Sequence, residues 1–355
     1  MQSARLDKLR KLLAGRALDA VLITDAKNRR YFSGFTGSAG VLLITLDRAL
    51  LLTDFRYLEQ AAGQAELFEI VDFGGTANNK LLDLFQELKI KNLGFENRVM
   101  TVQEYQELQN EGTAFISLND ELNKMRWIKD EKELACIRQA ASIADQAFSH
   151  ILKFLKVGLT EQEVALELEY SMKKAGAEDL SFASIVAAGE HSSLPHARPG
   201  KRKIACGDFV KMDFGALYRG YCSDMTRTVV MGRASDRQKE IYNLVLTAQK
   251  AALDVLKPGM MTDKVDLAAR TIIAENGYGE YFGHGLGHSL GLFIHEEPRL
   301  SPSCQVLIQP GMLFTVEPGI YLPGFGGVRI EDLVLVTDSG IENLTSSPKE
   351  LIVLA

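Results

Sequence analysis

The chain has 355 residues, 46% of them hydrophobic and 24% charged, with a formal net charge of −6 and a pI near 5.7. These values indicate a globular protein of two domains, and the acidic balance argues against nucleic-acid or anionic-membrane partners. No apolar run approaches the ~18 residues of a membrane span and the four cysteines show no CxxC spacing, so we expect a cytoplasmic protein.

The first 125 residues alternate predicted helices and strands. The pattern predicts helices over residues 6–14 and 80–88, and strands over residues 20–24, 41–45, 49–53 and 92–95. This alternation favours an α/β layer arrangement. The segment SGFTGSAG (33–40) opens onto a strand and lacks GxGxxG, so we interpret it as a glycine turn and not as a phosphate loop.

The remainder of the chain repeats itself at an offset of about 101–104 residues. Residues 156–177 resemble residues 257–279, and each segment predicts a threonine-capped amphipathic helix that ends at glycine. CGDFVKMDFG (206–215) matches PGMLFTVEPG (310–319). A duplicated helix–helix–hairpin unit predicts two halves about a pseudo-twofold axis, with a curved, mainly antiparallel sheet backed by helices.

Two carboxylates stand where a hairpin over residues 207–232 should be apolar. If its turn centres on Tyr218-Arg219, Asp213 faces Asp224 across the strands. The Cβ atoms of such a pair lie roughly 4.5–5.5 Å apart. Because two ionised carboxylates this close repel each other on an apolar sheet, we predict that a cation lies between them.

A second hairpin, over residues 315–336, repeats this arrangement. Its loop centres on Gly324, which places Glu317 opposite Glu331. The segment between the hairpins carries three of the six histidines, His284, His288 and His295. A solvated strand end would explain one carboxylate, but not four in facing registers beside a histidine-rich segment.

Four carboxylates and an imidazole form an oxygen-rich ligand set. Such a set suits two divalent ions, Mn²⁺ or Co²⁺ with Fe²⁺ or Zn²⁺ as alternatives, better than a structural zinc site, which favours thiolates. Two metal ions ~3.5–4 Å apart activate water for hydrolysis, which is the chemistry of metallo-aminopeptidases.

The chain resembles the pita-bread metallopeptidases (peptidase family M24) in five motifs: MDFG (212–215), SDMTRT (223–228), HGLGHSLGLFIHEEP (284–298), TVEPGIY (315–321) and VRIED (328–332). This family includes methionine aminopeptidase, Xaa-Pro aminopeptidase and Xaa-Pro dipeptidase (prolidase). Two further motifs resemble the creatinase-like N-terminal domain, YFSGFTGSAG (31–40) and TDFRYLEQA (53–61). The resemblance implies a creatinase-like domain over residues 1–125 and a pita-bread catalytic domain over residues 126–355.

The resemblance also implies roles for individual residues. The metal ligands would be Asp213, Asp224, His288, Glu317 and Glu331. The catalytic residues would be Glu317 as general base, with His284 and His295. The substrate-binding residues would be His196, His295, Tyr321 and Arg329. His191 matches no motif and is interpreted as a surface loop residue, and Cys222 as a core thiol near the ligands.

The N-terminal motifs favour an Xaa-Pro aminopeptidase, which releases the residue before proline, over an Xaa-Pro dipeptidase. Arg329 leaves this choice open, since it could clamp the free carboxylate of a dipeptide or be occupied within the site. A creatinase-type hydrolase without metal and a catalytically silent binding protein are the remaining alternatives, and the complete ligand set argues against both. Short proline-containing peptides as substrates and a homodimer are further implications of the resemblance.

Overall fold

A computed structural model describes residues 2–109 and 112–355, which form two compact units, Met1–Met125 and Arg126–Ala355. Each unit has its own hydrophobic core. Within the described ranges, every helix is too short or too polar to cross a membrane.

The first unit packs helices against a mixed sheet. Its helices are α1 (Gln2–Gly15), α2 (Ala26–Ser33), α3 (Leu58–Gln64), α4 (Ala77–Glu87), α5 (Val102–Leu108) and α6 (Asn119–Met125). Its strands are β1 (Ala20–Ile23), β2 (Val41–Thr45), β3 (Ala49–Thr53), β4 (Glu69–Asp72), β5 (Asn92–Phe95) and β6 (Ala114–Ser117). They pair in the order β4-β3-β2-β1-β5-β6, so the predicted α/β layers are confirmed. Residues 34–40 form an irregular loop between α2 and β2, and Arg29 donates to the carbonyls of Gly37 and Gly40 within it.

The second unit surrounds short sheets with four long helices in its described residues, α7 (Glu131–Phe154), α8 (Glu161–Lys174), α9 (Asp236–Val255) and α10 (Thr262–Glu275). The strands of its first half are β7 (Asp179–Leu180), β8 (Ile185–Ala188), β9 (Phe209–Phe214), β10 (Ala216–Tyr218), β11 (Tyr221–Cys222) and β12 (Met225–Met231). Those of its second half are β13 (Gly287–Ser289), β14 (Glu296–Leu300), β15 (Leu313–Val316), β16 (Gly319–Leu322), β17 (Gly326–Arg329), β18 (Asp332–Thr337), β19 (Gly340–Asn343) and β20 (Val353–Leu354).

The two halves of the second unit repeat a pair of packed helices. As the internal repeat predicts, α7 packs on α8 and α9 packs on α10. Thr160 caps α8, because its hydroxyl accepts the N–H of Glu163 while the Glu163 carboxylate accepts the N–H of Thr160. The threonine cap predicted for the second half is wrong: Thr262 is the first residue of α10, and its hydroxyl donates to the carbonyl of Cys304.

The first hairpin turns at Arg219-Gly220, one residue later than predicted. Both residues have positive φ, 46° and 75°, which is the geometry of a two-residue turn that matches strand twist. Asp213 therefore pairs with Thr226, and the predicted pairing of Asp213 with Asp224 is wrong. The register differs by two residues, an even number, so Asp213 and Asp224 still lie on the same face of the hairpin.

The second hairpin has the predicted register. Gly319 pairs with Arg329 and Val316 pairs with Asp332, so Glu317 and Glu331 lie opposite each other between two ladders. Their N–H groups bond outside these ladders, from Glu317 to the carbonyl of Leu286 at 2.8 Å and from Glu331 to that of Thr226 at 3.1 Å. The expected curved sheet is consequently divided into shorter hydrogen-bonded sheets, and the carboxylates lie at the divisions.

Candidate metal centre

A cavity of about 510 Å³ lies in the second unit, where the two hairpins and the histidine-rich segment meet. Nine of the ten predicted site residues line it, namely His196, Asp213, Asp224, His284, His288, His295, Glu317, Arg329 and Glu331. The tenth predicted residue, Tyr321, is not among the described residues that line the cavity.

Three buried carboxylates converge at the floor of the cavity. One oxygen from each of Asp213, Asp224 and Glu331 lies within 4.8 Å of the other two. Within the described ranges, Asp213 Oδ1, Asp224 Oδ1 and Glu331 Oε1 are buried and accept no hydrogen bond. Since buried polar atoms are almost always satisfied, three converging carboxylates that each keep an unpartnered oxygen fit a bound cation.

His288 and Glu317 extend this cluster. His288 Nδ1 lies 3.0 Å from the carbonyl oxygen of Ser289 and must donate to it, which leaves Nε2 as an acceptor. This Nε2 atom is 3.4 Å from Glu317 Oε1 and 3.6 Å from Asp224 Oδ2. Burial lowers the pKa of His288 to about 3, so the imidazole is neutral at pH 7. An acceptor nitrogen that faces two carboxylate oxygens is the arrangement of metal ligands around a cation.

Burial and mutual repulsion raise the pKa values of three carboxylates in this cluster. Burial, and next the charge of Glu331, raise the pKa of Asp224 well above its usual range. Burial and the charge of Glu317 do the same to Glu331, and burial with the charge of Asp213 raises the pKa of Glu317 to about 7. Divalent cations would relieve this repulsion, so the residues present fit the metal ions that the sequence predicts.

The hairpin of β13 and β14, which carries His288, is held from behind by a buried ion cluster. Glu296 accepts from Arg126 Nε and from Lys129 Nζ, both at 3.2 Å. Lys129 Nζ also donates to Ser289 Oγ at 3.2 Å. The residue next to the predicted ligand is thereby fixed to the start of the second unit.

Arg329, Tyr321 and His284 form a hydrogen-bonded chain behind the carboxylates. Arg329 donates from Nη2 to Asp213, from Nη1 to the Tyr321 hydroxyl at 2.7 Å and from Nε to Thr226 Oγ1 at 3.1 Å. His284 Nδ1 donates to the carbonyl of Gly285, so its Nε2 accepts the Tyr321 hydroxyl at 2.9 Å. Tyr321 thus lies behind the wall, and both ring nitrogens of His284 are already engaged.

The two remaining predicted histidines lie at the open side. His196 and His295 are exposed, and the His295 ring is 4.6 Å from that of His288 in an edge-to-face contact. His191 is not the surface loop residue that was expected. It is half-buried, and its Nδ1 lies 2.8 Å from Oε1 of the fully buried Glu161. Cys222 is a buried thiol, as predicted.

Sequence reasoning missed Arg299 and an apolar part of the wall. Arg299 lines the cavity with a side chain that is 55% exposed, and its Nε lies 3.6 Å from Glu297 Oε1. The signal for it was strand alternation, because residues 295, 297 and 299 are all exposed while 296, 298 and 300 are buried. The apolar part consists of Phe182, Ile185 and Ile294.

Comparison with known proteins matches both units. Residues 135–338 match the sequence model of metallopeptidase family M24, and residues 5–128 match that of the creatinase/prolidase N-terminal domain. The chain belongs to metallopeptidase family M24. Its predicted fold class, a creatinase-type N-terminal domain with a pita-bread catalytic domain, is confirmed, as is the prediction that it is a peptidase.

Two solved structures and one sequence relative match nearly the whole chain. An Xaa-Pro dipeptidase from Bacillus anthracis is 46% identical with a TM-score of 0.97, covering 100% of both chains. An X-Pro aminopeptidase from Thermotoga maritima is 40% identical with a TM-score of 0.90, covering 95% of this chain and 98% of that one. An Xaa-Pro dipeptidase of Pyrococcus horikoshii is 40% identical over 99% of this chain and 99% of its own length.

Proposed function

We propose that this M24 peptidase is an Xaa-Pro dipeptidase, which hydrolyses the bond before the proline of a free dipeptide. The observation that carries the proposal is the state of Arg299, a cationic side chain in the cavity wall. Among the described residues its one ion pair is a 3.6 Å contact with the exposed Glu297. The guanidinium of Arg329, by contrast, uses its nitrogens on Thr226, Tyr321 and Asp213. Arg299 is therefore the group that can bind a free carboxylate bidentately.

The rest of the cavity suits the other parts of such a dipeptide. Ile185 pairs with Asp213 across β8 and β9, so the apolar wall begins directly beside the carboxylate cluster. We assign this wall to the side chain of the residue before proline. Because proline has no N–H to donate, its ring is bound by shape, for which Pro195 and the exposed His196 and His295 provide the surface.

Asp213, Asp224, His288, Glu317 and Glu331 would hold two divalent ions, and Mn²⁺ or Co²⁺ suits this thiolate-free ligand set. Bound there, the ions would polarise the scissile carbonyl and make a water molecule acidic enough to attack it near neutral pH. Glu317 would accept the proton of that water, since it is the least buried of the four carboxylates and its Oε1 accepts from Thr315 Oγ1 at 3.0 Å. Glu317 would pass this proton to the departing proline nitrogen, and His295, at the open side, would donate a hydrogen bond to the tetrahedral oxygen.

The names of the relatives support the same choice. The Bacillus anthracis and Pyrococcus horikoshii proteins are called dipeptidases, which favours the alternative over the aminopeptidase that the N-terminal motifs suggested. Xaa-Pro aminopeptidase remains the second candidate, because the Thermotoga maritima structure bears that name.

We expect Arg299→Gln to separate the two candidates. Removing a charged partner of a hydrogen-bonded carboxylate should lower kcat/KM for Leu-Pro by on the order of 10- to 100-fold. The same variant should cleave Leu-Pro-amide, which has no carboxylate, as well as the wild type does. Arg233→Gln, which removes an exposed arginine outside the cavity wall, is the control. An equal loss on both substrates would remove Arg299 as the carboxylate partner.

We further propose that residues 1–125 and 126–355 are the N-terminal and catalytic domains, and that the chain forms a homodimer as the family resemblance implies. Light scattering should then give a mass near twice 39.2 kDa.

A further inference from the structure

Lys211 is a buried lysine that the proposed mechanism does not use. It lies in β9 two residues before Asp213, on the same face of the strand, and its side chain is fully buried. In the described part of the chain it has no carboxylate within ion-pair distance. Its Nζ donates instead to the carbonyls of Leu194 at 2.7 Å and Ser192 at 3.0 Å, with that of Pro195 at 3.4 Å.

These carbonyls belong to one segment, residues 189–200, which begins as a short 3₁₀-helix (Gly189–Ser193) after β8 and reaches the cavity at Pro195 and His196. Its ends are tied to the fully buried Glu161, which accepts the N–H of Ala188 at 2.8 Å and of Gly200 at 2.9 Å. Between these ends, the Lys211 amine binds carbonyl oxygens in the middle of the segment. A buried amine is costly without acceptors, so the three carbonyls and the lysine depend on one another.

The same segment contacts the cavity network. Arg329 Nη1 and Nη2 both lie 3.3 Å from the carbonyl oxygen of Pro195. The Lys211 amine is also 4.9 Å from the centre of the Tyr321 ring, whose hydroxyl is bound by Arg329. Lys211 and Arg329 therefore both hold Pro195 in place immediately before His196.

We propose that Lys211 is a positioning residue that sets His196 at the cavity rim by binding the carbonyls of residues 192, 194 and 195. It does not touch the substrate. Lys211 affects substrate affinity through the position of His196. This effect on affinity rests on the proposed dipeptidase function, whereas the ordering of residues 189–200 by Lys211 does not.

The first test is amide hydrogen exchange of the peptide that spans residues 189–200, which needs no substrate. Lys211→Met should raise exchange in this segment by about tenfold or more, because it removes the donor that three carbonyls share. Lys201→Met removes an exposed lysine directly after the segment and should leave exchange unchanged. Unchanged exchange in Lys211→Met would overturn the proposal whether or not the protein cleaves Xaa-Pro dipeptides.

The second test is a double-mutant cycle on Leu-Pro hydrolysis with His196→Ala. Lys211→Met alone should raise KM by about tenfold with kcat within about threefold, and in the His196→Ala background it should change KM by less than about twofold. Effects on KM that multiply instead would overturn the link to His196.

Lys211→Gln keeps a hydrogen-bond donor on a shorter side chain and should give an intermediate KM. It replaces Lys211→Met in both tests if Lys211→Met does not fold. A wild type that cleaves no Xaa-Pro substrate would contradict the proposed function and leave the exchange test to decide on Lys211.

Discussion

Asp224→Asn should remove divalent-metal binding and peptidase activity while making the metal-free protein more stable. Its side chain is 6% exposed and one oxygen has no hydrogen-bond partner among the described residues, so a neutral amide removes charge without removing a hydrogen bond at that atom. A bound metal ion supplies several kcal/mol of transition-state stabilisation. Loss of one of its ligands should therefore lower kcat/KM by about 10³-fold or more. Mn²⁺ titration by calorimetry and hydrolysis of Leu-Pro measure the two losses.

The gain in stability follows from the raised pKa of Asp224. A carboxyl group whose pKa is higher in the folded state binds its proton more tightly there, so the metal-free protein loses stability as pH rises above the ordinary carboxyl range. Asp224→Asn removes this loss, and its Tm in EDTA should exceed that of the wild type by more at pH 8 than at pH 5. Asp338→Asn, at an exposed position, should change neither Tm nor metal binding. Normal Mn²⁺ binding by Asp224→Asn would show that the metal lies elsewhere.

Glu317→Gln should reduce kcat by about 10²- to 10⁴-fold even at saturating Mn²⁺, because an amide cannot accept a proton from water. Glutamine keeps an oxygen for the 3.0 Å bond from Thr315 Oγ1, so the fold and the position of the side chain should be preserved. Metal occupancy should fall as well, since one charged ligand is lost.

Elemental analysis of the loaded variant and kcat at increasing Mn²⁺ separate the two effects. Glu280→Gln, an exposed substitution, should leave both unchanged. Near-wild-type turnover in Glu317→Gln at full occupancy would rule out this residue as the general base.

The two hairpins show how far the turn position and strand register can be predicted from the sequence. Gly324 has φ of 73°, and its position marked the second turn and hence the register of Glu317 and Glu331. In the first hairpin Arg219 also adopts a positive φ, which a non-glycine residue rarely does, so the turn was placed one residue early. The carboxylates were nevertheless brought together correctly, because an even shift in register keeps side chains on their face.

Tertiary hydrogen bonds were beyond the reach of sequence patterns. The motifs indicated Arg329 and Tyr321 as substrate contacts, and in the structure Arg329 donates hydrogen bonds to the Tyr321 hydroxyl and to Asp213. This partnership depends on how two separate hairpins pack, which no local spacing encodes. Arg299 was different, since its alternation with His295 along β14 could have indicated a place on the cavity side.

The most direct test of the account compares kcat/KM of the wild-type protein, loaded with Mn²⁺ or with Co²⁺, for Leu-Pro, Leu-Pro-Ala and Leu-Ala. With Arg299 as partner of the free carboxylate, Leu-Pro should be preferred over Leu-Pro-Ala by more than about tenfold with either metal, and Leu-Ala should be a poor substrate. Cleavage of Leu-Pro-Ala as fast as Leu-Pro would contradict the dipeptidase assignment, and equal cleavage of Leu-Ala would contradict the specificity for proline.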